Sequence, residues 1–289
     1  MESKTNTFSN YLSLVKFSHT IFALPFAIIG YFLAIVYTEA QFDIKLFVFV
    51  VLCMIFARSA AMAFNRYIDR TIDEQNTRTA IREIPAGIVK PKSALIFVIV
   101  NCVLFVGTTY FINSLCFYLS PVALLVVLGY SLTKRFTALC HLILGLGLSL
   151  APIGAYLAVT GKFDWLPLFF SFAVLFWVSG FDIIYALQDE EFDRSKNLKS
   201  IPVVLGKKGA LMLSNILHLI SAGFIIYAGI YAEFSLWYWI GAAIYTLLLF
   251  YQHTLVKPND LSKVNLAFFT TNGIASVVFS AFVLIDLYL

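Results

Sequence analysis

Hydrophobic residues in this chain do not alternate with polar ones, as they would in half-buried strands. They come in long, nearly unbroken runs of about 18–22 residues, each able to cross ~30 Å of hydrocarbon as an α-helix. Nine runs are predicted to span a membrane: 17–37, 46–65, 94–112, 115–132, 139–159, 165–185, 209–230, 236–255 and 266–287. A membrane β-barrel would show alternating segments of about ten residues, and the sequence has none. The predicted fold class is therefore all-α, a multi-pass bundle of nine transmembrane helices forming one domain over residues 1–289. The first run does not read as a cleaved signal, because its apolar stretch is full length and Met1–Thr20 lacks a charged head and a small-residue cleavage site.

The polar connections sort by side. Those at 37–45, 113–114, 160–164 and 231–235 are short. Two on the opposite side, Glu74–Ser93 and Glu190–Lys208, are long and polar, and loops longer than about 12–15 residues are usually functional or disordered. Each contains an Ile-Pro pair followed by a glycine: Ile84-Pro85 with Gly87, and Ile201-Pro202 with Gly206.

Composition agrees with the pattern. The chain is 61% hydrophobic and 12% charged, with mean hydropathy +0.88, whereas soluble domains are about a quarter charged. Of 20 Lys and Arg, all but Lys45 and Lys162 fall on the side of the long loops if the N-terminus shares it. The positive-inside rule then puts the N-terminus and both long loops in the cytoplasm. The net charge of +4 is explained by these membrane-flanking residues and predicts no nucleic-acid partner. Four cysteines (Cys53, Cys102, Cys116, Cys140) lie scattered in apolar segments without a C-x-x-C pair and read as buried thiols.

Against this background two acidic clusters stand out. One is Asn65-Arg66-Tyr67-Ile68-Asp69-Arg70-Thr71-Ile72-Asp73, and the other is Tyr185-Ala186-Leu187-Gln188-Asp189-Glu190-Glu191-Phe192-Asp193. Each is a polar residue followed by Asp at four and eight positions on, and corresponding positions are offset by 120. Charge is costly near a bilayer, so a duplicated acidic site there points to function. Each directly precedes a long loop, and four spans separate them, which fits a parallel repeat of helices 1–4 and 5–8 with helix 9 added. Coincidence between two polar loops is the alternative.

At helical spacing, Asn65, Asp69 and Asp73 share a face, as do Tyr185, Asp189 and Asp193, with successive Asp Cα atoms about 6 Å apart. Two such pairs suit Mg²⁺, which is held by one or two carboxylates plus waters and substrate phosphate oxygens. A diphosphate also needs bases, and Arg66, Arg70, Arg78, Arg82, Lys134, Arg135 and Lys196 lie on the correct side. Asp182 sits deeper in its helix; it either snorkels to the interface or serves a cation or a substrate hydroxyl. Tyr130-Ser131-Leu132-Thr133-Lys134-Arg135-Phe136 reads, by composition, as a positive-inside anchor.

These residues resemble the UbiA superfamily of intramembrane aromatic prenyltransferases, whose signature is N-x-x-x-D-x-x-x-D on the second helix and D-x-x-x-D after the sixth in a nine-helix bundle. The likeness extends to Lys16-Phe17-Ser18-His19-Thr20, Arg82-Glu83-Ile84-Pro85-Ala86-Gly87, Tyr130 through Arg135, and Lys199-Ser200-Ile201-Pro202. Arg66 departs from the Asp that many members carry there. With the Arg-Glu-Ile-Pro-Ala-Gly loop, it is similar to the 4-hydroxybenzoate-type and futalosine-route menaquinone branches.

The resemblance implies Mg²⁺ held by Asp69, Asp73, Asp189 and Asp193, binding the diphosphate of a polyprenyl donor, with Asn65 and Tyr185 completing that environment. It implies Arg135 for the carboxylate and Asp182 for the phenol of an aromatic acid acceptor, with Arg66, Arg78, Arg82, Tyr130, Lys134 and Lys196 binding substrate. The implied reaction is transfer of a polyprenyl chain to the carbon ortho to the phenol of 4-hydroxybenzoate for ubiquinone biosynthesis, or of a dihydroxynaphthoate for menaquinone. The implied setting is the bacterial inner membrane, with the site on the cytoplasmic side. A secondary transporter is the rival of another class, but its acids would sit at the midplane. A CDP-alcohol transferase would carry D-G-x-x-A-R, which is missing here.

Overall fold

A computed structural model describes residues 7–16 and 22–289. Of the Lys16–Thr20 motif only Lys16 falls within them. The described residues are helical, apart from turns and one isolated bridge between Lys257 and Asp260. A short helix α1 (Thr7–Leu14) precedes the apolar helices α2 (Leu24–Thr38) and α3 (Ile44–Ile68). A six-residue helix α4 (Arg70–Gln75) follows, then α5 (Pro91–Tyr110), α6 (Ser114–Thr133), α7 (Cys140–Thr160) and α8 (Trp165–Ala186). A 3-10 turn (Leu187–Asp189) leads into α9 (Glu190–Ser195) and α10 (Ile201–Tyr231). The chain ends with α11 (Leu236–Leu255), a π-helical turn (Leu266–Thr271) and α12 (Asn272–Tyr288).

Seven of these segments are long and apolar enough to cross a membrane, making this a multi-pass membrane protein. The other two predicted spans are α2, apolar but 15 residues long, and α11, whose 20 residues include Trp237, Tyr238, Trp239, Gln252 and His253. Most boundaries fall within about three residues of the prediction.

Two expectations are corrected. Residues 65–73 do not form one uninterrupted helix, because the chain breaks direction at Asp69 (φ −89°, ψ 3°). The stretch 190–208 is not an open loop: α9 occupies its start, and α10 begins at Ile201 with Ser200 at its N-cap and Pro202 in the first turn. Gly206 (φ 66°, ψ 171°) then breaks α10 locally. Gly87 also has positive φ (73°), and a Cβ would meet nothing at either site, so backbone conformation alone requires both glycines.

The ends far from the acidic clusters are closed by side-chain caps. Asp43 accepts from Lys45 and Leu46 N–H, Asn113 from Cys116 N–H, and Asp164 from Leu166 N–H, which lets short connections turn tightly. Helix α8 is the axis of the bundle, with Phe170, Trp177 and Val178 in the main core alongside Phe26, Tyr238, Tyr245 and Phe279.

Lipid tails give no hydrophobic drive between helices, so association rests on close packing and interhelical hydrogen bonds. Both occur along α8. From α10, Ser214 Oγ donates to Gly180 O (2.7 Å), His218 Nε2 bonds Trp177 O (3.2 Å) and Ser221 Oγ donates to Ala173 O (2.8 Å). On the other flank Gly145 of α7 lets α8 approach so closely that a Cβ there would lie 2.4 Å from Leu175 O. This contact fixes α7 and α8 side by side. By contrast α5 and α6 expose Val103, Tyr118, Val122 and Leu125, the outward apolar faces expected against lipid.

Candidate active site

The two acidic clusters are built alike. Each begins at the end of a long apolar helix, α3 or α8, and turns at an aspartate into a six-residue helix, α4 or α9. The hinge residues share a conformation: Asp69 at φ −89°, ψ 3° and Asp189 at φ −104°, ψ 1°. Asp73 and Asp193 are the fourth residues of those short helices. The break at Asp69 preserves the helical bonds Asp69 N–H to Asn65 O (3.0 Å) and Asp73 N–H to Asp69 O (2.7 Å), so the cluster keeps one face. Asn65 Nδ2 accordingly donates to Asp69 Oδ2 (3.3 Å).

Basic residues converge on these acids from two segments, the end of α6 and the first inner loop. Asp69, 2% exposed, pairs with Lys134 Nζ (2.9 Å) and Arg135 Nη2 (2.8 Å) from the end of α6. Asp73, 3% exposed, pairs with Arg82 Nη1 (2.6 Å) from the first inner loop. That loop also crosses to the second cluster. Arg78 Nε donates to Asp189 Oδ1 (2.9 Å) and its Nη2 pairs with Oδ2, while Asn76 Nδ2 donates to Oδ1 (3.1 Å). Arg78 Nη1 bonds Tyr185 Oη (3.0 Å), and the guanidinium lies over the Tyr185 ring, 5.3 Å from its centre. Burial pulls the Arg78 guanidinium down, but the hydrogen bonds and charge of Asp189 outweigh it and hold the group above its ordinary pKa. Asp193 has no ion pair among the described residues and lies within electrostatic reach of Lys134 and Asp189.

Several charged atoms in this region are buried with no hydrogen-bond partner among the described residues: Asp73 Oδ2, Arg66 Nε, Glu83 Oε2 and Arg58 Nε. Such orphans are rare in folded proteins and call for a functional or ligand explanation. Arg66 is 6% exposed and stands near Asp73, Glu83 and Arg82. Arg58, one of the basic residues explained in sequence by membrane flanking alone, lies two helical turns inward of Asn65 on nearly the same face, about 10 Å deeper. The Tyr130 hydroxyl lies within electrostatic reach of Arg58, Arg66, Asp69 and Asp182, linking the acidic clusters to the interior.

Asp182 is held from an unexpected direction. Its Oδ2 bonds His141 Nδ1 (2.7 Å), and His141 Nε2 accepts Ile201 N–H (3.3 Å). Arg135 does not reach Asp182: its guanidinium bonds Asp69, Ile68 O and Ser131 O. Lys196 stands apart from the acids, its ammonium 5.9 Å from the centre of the Phe192 ring, and Arg70 lies over Tyr67. His141, Asn76 and Arg58 are the residues that sequence pattern alone does not single out.

Carboxylates opposed by bases can exchange partners: a divalent cation takes the acids and an anion takes the bases. Among the described residues no three His, Cys, Asp or Glu side chains already stand close enough to cage an ion. Mg²⁺ needs only one or two carboxylates, with waters and substrate oxygens completing its shell. The orphaned, buried Asp73 Oδ2 and the hard carboxylate donors fit such an ion.

A model of the UbiA prenyltransferase family matches residues 23–274. The chain is 30% identical over 250 residues to a 4-hydroxybenzoate octaprenyltransferase of Nitrosomonas europaea, covering 85% of this chain and 84% of that protein. It is 32% identical over 237 residues to the protein of that name from Aliivibrio salmonicida, covering 80% and 81%. Among solved structures, a UbiA homologue from Aeropyrum pernix superposes with TM-score 0.83 at 29% identity, over 93% of this chain and 98% of that one. A homologue from Archaeoglobus fulgidus bound to DMAPP and Mg²⁺ shares the fold, with TM-score 0.77 at 23% identity over 96% and 99%.

Proposed function

This chain belongs to the UbiA prenyltransferase family, and from that premise we propose that it transfers a polyprenyl chain from polyprenyl diphosphate to the carbon ortho to the phenol of 4-hydroxybenzoate, in quinone biosynthesis. The proposed setting is the bacterial inner membrane, with nine spans, the N-terminus inside and the site at the cytoplasmic face. One observation carries the reading: Arg78 and Asn76, from the loop after the first cluster, grip Asp189 of the second. The two clusters are thus halves of one site. The relatives named as 4-hydroxybenzoate octaprenyltransferases support the acceptor.

Asp69, Asp73, Asp189 and Asp193 are the proposed ligands of Mg²⁺, which when bound neutralises the diphosphate as it departs. Arg78, Arg82, Lys134 and Arg135, which pair with those acids here, would bind and orient the diphosphate oxygens, with Arg66 and Asn65 beside them. The allylic C–O bond breaks and its electron pair leaves with the diphosphate. A ladder of rings leads inward from that point: Tyr185 to Phe268 (4.3 Å between centres), Phe268 to Phe181 (5.3 Å) and Phe181 to Trp177 (5.2 Å). Ring faces stabilise the allylic cation, and the apolar surroundings exclude water.

At the acceptor, Asp182 takes the phenol hydrogen bond and raises electron density at the ortho carbon. That carbon forms the new C–C bond, and its proton is lost as aromaticity returns. Because Arg135 turns to the diphosphate with the other bases, the carboxylate of the acceptor is assigned to Arg58, whose Nε is buried without a partner among the described residues. Tyr130 lies within electrostatic reach of both Arg58 and Asp182. Lys196, on the outer edge, contributes through long-range charge alone.

The test is product formation by purified protein from a polyprenyl diphosphate and 4-hydroxybenzoate, with Mg²⁺ or with EDTA. Ring-prenylated 4-hydroxybenzoate only with Mg²⁺ is the expected result. Product from a dihydroxynaphthoate alone would move the acceptor to a naphthoate, and no product from any aromatic acid would sink the proposal.

A further inference from the structure

We infer that His141 is a positioning residue that aims Asp182 at the acceptor and ties it to the second inner loop; the inference rests on the reading of Asp182 as the partner of the phenol. His141 opens α7 and is 3% exposed. Its ring is oriented at both nitrogens. Ile201 N–H points at Nε2 (3.3 Å), so Nε2 presents its lone pair and the ring hydrogen resides on Nδ1. Nδ1–H therefore donates to Asp182 Oδ2 (2.7 Å). Ser179 Oγ, one turn before Asp182 in α8, shares its hydrogen between Leu175 O (2.7 Å) and His141 O (3.2 Å), so the backbone of His141 also meets α8.

This arrangement leaves Asp182 Oδ1 without a hydrogen bond among the described residues, on a side chain that keeps 23% exposure beside the fully enclosed imidazole. One carboxylate oxygen is anchored and the other is presented. Without the anchor, a carboxylate this deep in an apolar helix would rotate toward the interface and its water.

The far side of the imidazole connects to the segment that follows Asp189 and Asp193. Ile201 is the first residue of α10, immediately after that loop, and two residues earlier Lys199 N–H donates to Lys134 O (2.7 Å). Lys134 itself holds Asp69. The second loop is thus docked on the α6–α7 corner by two backbone N–H groups, one ending on the carrier of a metal-site base and the other on the ring that orients Asp182. The ring thus links the aim of Asp182 to the start of α10, while the Lys199–Lys134 bond holds the donor side of that segment independently of His141.

The experiment compares His141→Ala, His141→Gln and Asp182→Asn in the full-length purified protein, measuring kcat, acceptor KM, thermal midpoint and Mg²⁺-dependent binding of an unreactive prenyl thiolodiphosphate. A misplacement near 1 Å in a reacting constellation costs up to about 10²-fold. His141→Ala is therefore expected to lower kcat/KM for the acceptor by about 10- to 100-fold, with thiolodiphosphate affinity within about twofold. Glutamine offers both an N–H donor for Asp182 and a carbonyl for Ile201 N–H, so His141→Gln should recover most of the loss. Should His141→Ala fail to fold, His141→Asn, whose amide is one methylene too short, takes its place with the same expectation.

Wild-type acceptor kinetics in the Ala or Asn variant, alongside an impaired Asp182→Asn, would overturn the role of His141 and leave Asp182 standing. Equal impairment of Gln and Ala would show that ring packing, not hydrogen bonding, is what matters, and would also overturn it. Unimpaired Asp182→Asn would remove the reading on which the inference rests.

Discussion

Replacing Gly145 with alanine should damage the acceptor side of the site from within the bundle. The new Cβ would lie 2.4 Å from both Leu175 O and Ser179 Oγ, against an ordinary contact distance of at least 3.4 Å, so α7 and α8 must part by about 1 Å. Ser179 Oγ can rotate at the cost of its bonds to Leu175 O and His141 O, but the Leu175 carbonyl is backbone and cannot. Overpacking of this kind costs ~1–3 kcal/mol. Gly145 lies one helical turn from His141 on the same face. A parting of that size takes the His141–Asp182 bond from 2.7 Å to well beyond hydrogen-bond range. The assay is thermal midpoint together with separate KM values for donor and acceptor. The expected result is a lowered midpoint and an acceptor KM raised by about tenfold, with a smaller change for the donor. Gly154→Ala is the control: a Cβ there meets nothing within 4 Å, and better helix propensity makes it neutral or slightly stabilising. A Gly145→Ala enzyme with unchanged acceptor KM, or with a donor KM that rises more, would refute the reasoning.

Two further outcomes separate the roles of the bases. Arg58→Ala should raise the acceptor KM at least tenfold through loss of a carboxylate pair in a poorly solvated site, whereas Arg135→Ala should act mainly on the donor KM; the reverse pattern would return the carboxylate role to Arg135. Arg78→Lys keeps the charge but cannot reproduce the two-pronged grip on Asp189 and the bond to Tyr185, so donor affinity should fall about as far as in Arg78→Ala. Lysine restoring wild-type affinity would show that charge alone suffices there.

The helices were legible because lipid imposes one simple requirement, a run of apolar residues about 20 long. The acidic pairs were legible because their offset of 120 residues repeats position by position. What escaped depends on packing between distant segments. His141 and Asp182 are 41 residues apart, and nothing local in an apolar helix tells which side chain will face its histidine. Arg58 looked like another membrane-flanking base, and only its buried Nε, unpartnered among the described residues, marks it. The start of α10 did carry a signal: Ser200 before Ile201-Pro202 is a helix N-cap with proline in the first turn. Gly206 with Lys207 and Lys208 masked it as loop. The hinges at Asp69 and Asp189 had no sequence signal, since i, i+4, i+8 spacing is the same for a straight helix and for one broken in the middle.

The two acidic clusters are proposed to hold Mg²⁺ and the diphosphate between them. This is tested most directly by Mg²⁺-dependent binding of a prenyl thiolodiphosphate to wild type, Asp69→Asn, Asp189→Asn and the double variant. A shared site predicts strongly non-additive losses, with each single variant losing nearly as much affinity as the double while retaining its fold. Losses that simply add, or binding unchanged in either single variant, would contradict it.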